Sequence, residues 1–143
     1  MTLGNHKEIV IKASARRIFE ALTDPAQRVK WWGQGQFQTT HMESDLRSGG
    51  AWLMSGTGIG GKPFVVRGEY RAIDPPRLLE FTWLPDWQED PELTIVRFEL
   101  DEKNGSTTVR LTHSGLMTER SRQSHQGWPW ILAWLQAYAE ARG

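Results

Sequence analysis

The spacing of the histidines and acidic residues in the sequence does not indicate a catalytic or metal site. The four histidines, at positions 6, 41, 113 and 125, are scattered, and only His41 and Glu43 place two metal-ligating side chains on one strand face. A metal site needs three or four convergent ligands, so this pair does not predict one. No serine–histidine–acid pattern, carboxylate pair or activated lysine can be assembled from the spacing. No catalytic residue is therefore predicted.

A glycine-rich stretch at residues 56–62, GTGIGGK, matches two phosphate-binding patterns, G-x-G-x-x-G and the G-x-x-x-x-G-K part of a phosphate loop. Both patterns work by presenting backbone amides at the start of a following helix. Here Pro63 stands where the second pattern needs Ser or Thr, and a strand pattern follows. We interpret the stretch as a hairpin loop, and no cofactor is predicted.

The aromatic residues and one histidine are more informative. Eight tryptophans among 143 residues are the strongest deviation in composition, and tryptophan is often placed where surfaces or ligands are contacted. His113 shares a strand face with Val109 and Leu111, so it is expected to point to the covered side of its strand. It is either a hydrogen-bonded core histidine or a group that contacts a ligand or transfers a proton.

The larger apolar set either fills a core or lines a pocket, and pockets of this kind are mostly apolar with a few polar anchors. The predicted cavity candidates are Trp31, Trp32, Phe37, Trp52, Met54, Tyr70, Phe81, Trp83, Phe98, His113, Trp128, Leu132 and Leu135. Among them Trp52, Tyr70, Trp83 and His113 carry a group that can anchor a ligand by a hydrogen bond.

The elements that position these side chains follow from the hydrophobic period. A strand over His6–Ala13 precedes a helix capped by Ser14, and Asp24 before Pro25 starts a second short helix that reaches Trp32. The period then changes to two. The predicted strands are Phe37–Leu46, Ala51–Thr57, Pro63–Ile73, Leu78–Leu84, Leu93–Leu100 and Thr107–Thr112, and a helix closes the chain. Asn104-Gly105 is a strong hairpin signal.

The strand phases predict one wet face and one covered face of an antiparallel sheet. The predicted inward residues are Trp52, Met54, Phe64, Val66, Tyr70, Leu79, Phe81, Trp83, Val96, Phe98, Leu100, Val109, Leu111 and His113. The predicted outward residues are Arg67, Glu69, Arg71, Glu80, Arg97, Glu99, Arg110 and Thr112. With the helices confined to one crossover and the C-terminus, the pattern predicts an α+β fold with helices on one face of the sheet.

Composition limits the classes of partner. Lysine plus arginine and aspartate plus glutamate are equal at 17 each, which gives no broad attraction to nucleic acid or to anionic lipid. The chain has no cysteine, no signal-peptide pattern and no apolar run of membrane-spanning length. We expect a single domain over residues 1–143, a cytoplasmic location, and neither nucleic acid nor membrane as partner.

Several phrases, in order, resemble one family. They are IFEALTDPAQRVKWW, DLRSGGAW, GEYRAIDPPRLLEFTW, TTVRLTHSGL and a closing GW…L…L…Y. Together they are similar to the Hsp90-ATPase-activator-like (AHSA1-type) family of the SRPBCC, or START/Bet v 1-like, superfamily. The resemblance covers nearly the whole chain. It implies a helix-grip fold, in which a curved antiparallel sheet wraps a long C-terminal helix, with two short helices between the first two strands.

The resemblance also implies a cavity between sheet and C-terminal helix that binds a hydrophobic or aromatic small molecule in many relatives. Two other function classes stay open. One is a cavity enzyme of the polyketide cyclase or aromatase type, which shapes a bound chain with few polar groups. The other is an interaction protein with a chaperone partner, although the eukaryotic namesakes of the family carry an additional N-terminal domain that the printed sequence lacks.

The terminal helix presents apolar residues on more than one flank. At about 100° per residue, one stripe covers the sheet, and it consists of Trp128, Ile131, Leu132, Leu135, Tyr138 and Ala139. Trp130 and Trp134 are four residues apart and lie on another flank, with Ala133 and Ala137 extending the apolar surface. Paired tryptophans on a helix surface usually mark a contact. We expect a homodimer that buries Trp130 and Trp134. The alternatives are that the 85–91 loop or the short second helix folds over them, or that they contact another partner.

Overall fold

A computed structural model describes residues 4–33, 38–85, 94–114 and 128–141. The elements in chain order are β1 (Gly4–Ile11), α1 (Ala15–Thr23), α2 (Pro25–Trp31), β2 (Gln38–Ser44), β3 (Ala51–Thr57), β4 (Pro63–Asp74), β5 (Leu78–Pro85), β6 (Thr94–Lys103), β7 (Ser106–Ser114) and α3 (Trp128–Ala141). The strands form a seven-stranded antiparallel sheet in the order β1-β7-β6-β5-β4-β3-β2. The predicted α+β helix-grip fold is confirmed.

The local signals for turns and helix starts act as predicted. The Ser14 side chain accepts a hydrogen bond from the Arg17 amide at 3.2 Å, and Asp24 accepts one from the Ala26 amide at 3.1 Å. These bonds satisfy amides that a helix start leaves free. Asn104 and Gly105 have φ values of 54° and 80°, as a tight hairpin between β6 and β7 requires. The glycine-rich stretch leads through a short 3₁₀ turn into β4, as a hairpin loop does.

The two faces of the sheet separate as the period predicts. The predicted inward side chains from Trp52 to His113 are all buried, and the predicted outward ones are partly or fully exposed. Three of the outward arginines, Arg71, Arg97 and Arg110, pair with carboxylates. Arg97 Nη1 lies 2.9 Å from a Glu80 carboxylate oxygen, and this hydrogen bond raises the pKa of Arg97. The outer face of the sheet is therefore the solvent-exposed face, which the sequence predicted as the wet face.

Helix α3 begins at Trp128, has Pro129 in its first turn, and packs against α1, α2 and β1. Leu132, Leu135 and Ala139 are buried in the core, as the predicted stripe requires. The last turn of α3 is fixed from α1, because Arg17 Nε donates to the Ala139 carbonyl oxygen at 2.8 Å. No helix within the described residues is long and apolar enough to cross a membrane.

Candidate ligand-binding site

The inner face of the sheet carries a continuous surface of aromatic rings that α2 covers. We call this set the aromatic cluster, and it consists of Trp31, Trp32, Trp52, Tyr70, Phe81, Trp83 and Phe98. Trp83 lies between two other indoles, with ring centroids 5.9 Å from Trp32 and 5.8 Å from Trp52. Phe81 lies beside the indoles, 5.2 Å from the Trp52 ring and 6.2 Å from the Phe98 ring. Side chains from a helix and several strands thus form one buried aromatic surface.

Two members of the aromatic cluster have their polar atoms satisfied by the protein. Trp31 Nε1 donates to the Ala21 carbonyl oxygen at 2.8 Å, which ties α2 to α1. The Tyr70 hydroxyl is hydrogen-bonded to Ser44 Oγ at 2.6 Å. These bonds position the two rings and account for their polar groups.

Two other buried polar groups in this region have no such partner. Trp52 Nε1 and Thr39 Oγ1 are buried and form no hydrogen bond with any described residue. Thr39 adjoins the aromatic cluster, because its amide donates to the Trp32 carbonyl oxygen at 3.2 Å. Leaving a buried donor unpaired costs about 1 to 3 kcal/mol, so each group marks a place where an acceptor is missing.

A glycine makes room for the indoles. Gly68 is the inward residue of β4 opposite Trp52 on β3, and β4 separates β3 from β5, which carries Trp83. A Cβ atom at position 68 would lie 2.8 Å from Trp52 Nε1 and would overlap the Thr82 carbonyl oxygen. The Trp52 and Trp83 rings therefore meet above a strand that has no side chain at that point.

His113 lies inward on β7, as predicted, and is 0 % exposed. Its Nε2 atom is 2.6 Å from Thr94 Oγ1, which also donates to the Trp83 carbonyl oxygen at 3.3 Å. The imidazole meets the Trp83 ring edge-on at 6.4 Å between centroids. His113 is thus a hydrogen-bonded histidine at the border of the aromatic cluster.

Arg28 is the residue of this region that the sequence did not predict. It is 2 % exposed on α2, and its Cζ atom lies 4.1 Å from the centre of the Trp32 ring and 5.8 Å from that of Phe81. Nη1 donates to the Leu22 carbonyl oxygen at 2.6 Å. Burial lowers the pKa of Arg28 to about 10, against a smaller opposing effect of the Tyr70 hydroxyl.

The remaining predicted candidates divide into two groups. Met54, Leu132 and Leu135 are buried in the same core. Phe37 and the side chains of Trp128 and Trp130 lie outside the described residues. Trp134 is half-buried and packs against the core, while Ala133 and Ala137 are exposed. The homodimer contact at Trp130 and Trp134 stays a prediction.

The other sites considered from the sequence are surface features. His41 Nε2 and Glu43 Oε2 form an exposed pair 3.0 Å apart. Within the part of the chain that the structure describes, no group of three or more histidine, cysteine, aspartate or glutamate residues could hold a metal ion. An open groove beside β2–β4 is lined by Glu43, Ser44, Asp45, Ala51, Trp52, Leu53 and Arg67.

Comparison with known proteins agrees with the fold and the resemblance. The family model described as "Activator of Hsp90 ATPase homolog 1-like protein" matches residues 12–140. A search of the curated proteins finds no significant match.

Many solved structures share the fold. Protein CV1439 from Chromobacterium violaceum is 24 % identical, with a TM-score of 0.82 over 97 % of this chain and 96 % of that one. Protein NE0264 from Nitrosomonas europaea is 17 % identical, with a TM-score of 0.83 over 99 % and 96 %. CalU16 from Micromonospora echinospora is 21 % identical, with a TM-score of 0.71 over 95 % and 75 %. With a family match over most of its length and this shared architecture, the chain belongs to the family of Activator of Hsp90 ATPase homolog 1-like proteins and has the helix-grip fold, an architecture suited in general to ligand binding.

Proposed function

We propose that this protein binds a hydrophobic or aromatic small molecule at the inner face of the sheet, against the aromatic cluster and beneath α2 and α3. Small-molecule sites are mostly apolar surfaces with a few well-placed polar groups, and the inner face has this composition. The aromatic rings supply apolar contact area, and the Trp52 indole N–H and the Thr39 hydroxyl supply the polar groups.

The observation that carries the proposal is the indole N–H of Trp52. It is buried within the aromatic cluster, and none of the described residues accepts its hydrogen bond. In a core that serves stability alone, such a donor is expected to have a hydrogen-bond partner, or an apolar ring is expected in place of the indole. A ligand with an acceptor atom beside its apolar part would satisfy the indole and add contact with the surrounding rings.

Nile red, a neutral dye whose emission rises in apolar surroundings, tests the proposal. We expect wild-type protein to bind it saturably with a micromolar Kd and to show energy transfer from tryptophan to the dye. Trp52→Leu should weaken binding, because it removes both the donor and part of the ring surface.

The matched control addresses dye that adheres to the protein surface. Val10 is a large apolar residue that is 55 % exposed on β1, and Val10→Ser removes that surface without touching the aromatic cluster. We expect this variant to bind Nile red like the wild type. Absence of saturable binding, or binding that is lost in Val10→Ser and kept in Trp52→Leu, would refute the proposed site.

A further inference from the structure

The guanidinium of Arg28 has an unused hydrogen-bonding edge. Nη1 is occupied by the Leu22 carbonyl oxygen, whereas Nε and Nη2 are buried and have no partner among the described residues. These two nitrogens lie on the same edge of the planar guanidinium group, and their N–H groups point out of that edge in parallel. Such an edge can bind both oxygens of a carboxylate at once.

The charge of Arg28 is also uncompensated within the described chain. Several outward arginines form ion pairs, such as Arg110 with Glu8 at 2.8 Å, but no described carboxylate forms an ion pair with Arg28. A buried charge without a partner is strongly unfavourable. Stacking on Trp32 offsets part of this unfavourable free energy, since a guanidinium is attracted to the face of an indole. A negative charge beside the Nε–Nη2 edge would offset much more of the free-energy cost of burying Arg28.

The surroundings of that edge restrict what can carry the negative charge. The Trp32 and Phe81 rings lie next to the guanidinium, and the Phe81 ring also contacts the Trp52 ring at 5.2 Å. Each of these rings belongs to a residue that contacts one with an unpaired polar group: Phe81 contacts Trp52, and the Trp32 carbonyl accepts from the Thr39 amide. The Trp52 indole and the Thr39 hydroxyl can both donate hydrogen bonds. A ligand with a planar apolar body and a group rich in acceptor oxygens fits these surroundings, because the body can contact the aromatic rings and the oxygens can accept hydrogen bonds from the donors.

We propose that the Nε–Nη2 edge of Arg28 binds a carboxylate of the small molecule, so that the ligands of this site are aromatic carboxylates. The inference rests on the proposed function, because it names the ligand class of the same site. Arg28 then has two contacts with different purposes: Nη1 holds the end of α1, and the opposite edge receives the ligand.

Two probes of nearly equal shape test the charge requirement. In isothermal titration calorimetry at neutral pH, 2-naphthoate carries a carboxylate, and 2-naphthamide replaces it with a neutral amide. We expect the wild type to bind 2-naphthoate about 10- to 100-fold more tightly, the usual range for a charge-assisted hydrogen-bonded pair. Arg28→Gln should remove this preference and keep the affinity for 2-naphthamide.

Variants of the same helix provide the controls. Lys30→Gln removes an exposed positive charge two residues away, and it should leave both affinities unchanged. Arg28→Lys keeps the charge but lacks the two-pronged edge, so its preference for 2-naphthoate should be intermediate. This conservative variant also serves if Arg28→Gln does not fold.

The outcomes separate this inference from the function on which it rests. Equal affinity of the wild type for the two probes, or a preference for 2-naphthoate that survives in both Arg28 variants, would overturn the assignment of Arg28 and leave small-molecule binding intact. Failure of both probes and of Nile red to bind the wild type would overturn the proposed function itself.

Discussion

Replacing Phe81 by alanine is expected to lower the free energy of unfolding by about 3 to 5 kcal/mol, the range for removing a fully buried aromatic side chain. Phe81 is 1 % exposed, and its ring contacts the rings of Trp52, Tyr70 and Phe98. Truncation leaves a cavity at the centre of the aromatic cluster that these rigid neighbours cannot fill. Urea denaturation monitored by circular dichroism measures the change.

Leu46→Ala is the control for Phe81→Ala, because Leu46 is a large apolar residue that is 45 % exposed. We expect its effect on the free energy of unfolding to stay within about 0.5 kcal/mol. Similar losses in the two variants would mean that Phe81 is not at the centre of a close-packed core.

Replacing Gly68 by alanine is expected to destabilise the protein by about 2 to 3 kcal/mol, in the upper range for forcing an extra methyl group into a packed interior. The added Cβ would overlap the Thr82 carbonyl oxygen and lie 2.8 Å from Trp52 Nε1. Either the pairing of β4 with β5 or the Trp52 ring must shift. The near-ultraviolet circular dichroism of the indoles should change together with the unfolding free energy.

Gly58→Ala provides the same chemical change where there is room. A Cβ atom at position 58 would have only an ordinary contact, 3.6 Å from the Lys62 carbonyl oxygen. We expect this variant to be as stable as the wild type or slightly more stable, since alanine restricts the unfolded chain. If Gly68→Ala and Gly58→Ala behave alike, Gly68 is not needed for the approach of Trp52 and Trp83.

Most of the fold could be predicted from the sequence because its local signals agree with the final packing. Ser14, Asp24 and Asn104-Gly105 act at positions where the backbone itself needs a cap or a left-handed turn. The alternation of apolar and polar residues along the strands predicted that the side chains from Trp52 to His113 lie on the inner face. In a strand with one covered face, only one of the two alternating sets of side chains can point to that face. Some element ends agreed and others differed by up to three residues, where capping bonds and hairpin pairing decide the boundary.

The candidate site was only partly predictable. The aromatic residues follow from strand period, whereas arginine is usually exposed and gives no sign of burial by itself. One signal was present: Arg28 and Trp32 are four residues apart, the spacing that brings side chains together on a helix. Gly68 gave another signal, since a glycine at an inward strand position often marks a close approach. Which buried donors lack partners depends on tertiary packing and cannot be deduced from period or composition.

The most direct measurement of the central claim, ligand binding at the inner face, is a nitrogen–proton correlation spectrum of the indole N–H groups during titration with neutral 2-naphthamide. The signals are assigned with single Trp→Phe variants. We expect the Trp52 and Trp83 signals to shift along one saturable curve, since both rings belong to the aromatic cluster at the proposed site. Shifts confined to indoles outside the aromatic cluster, or indole signals that stay fixed while calorimetry records binding, would contradict the account.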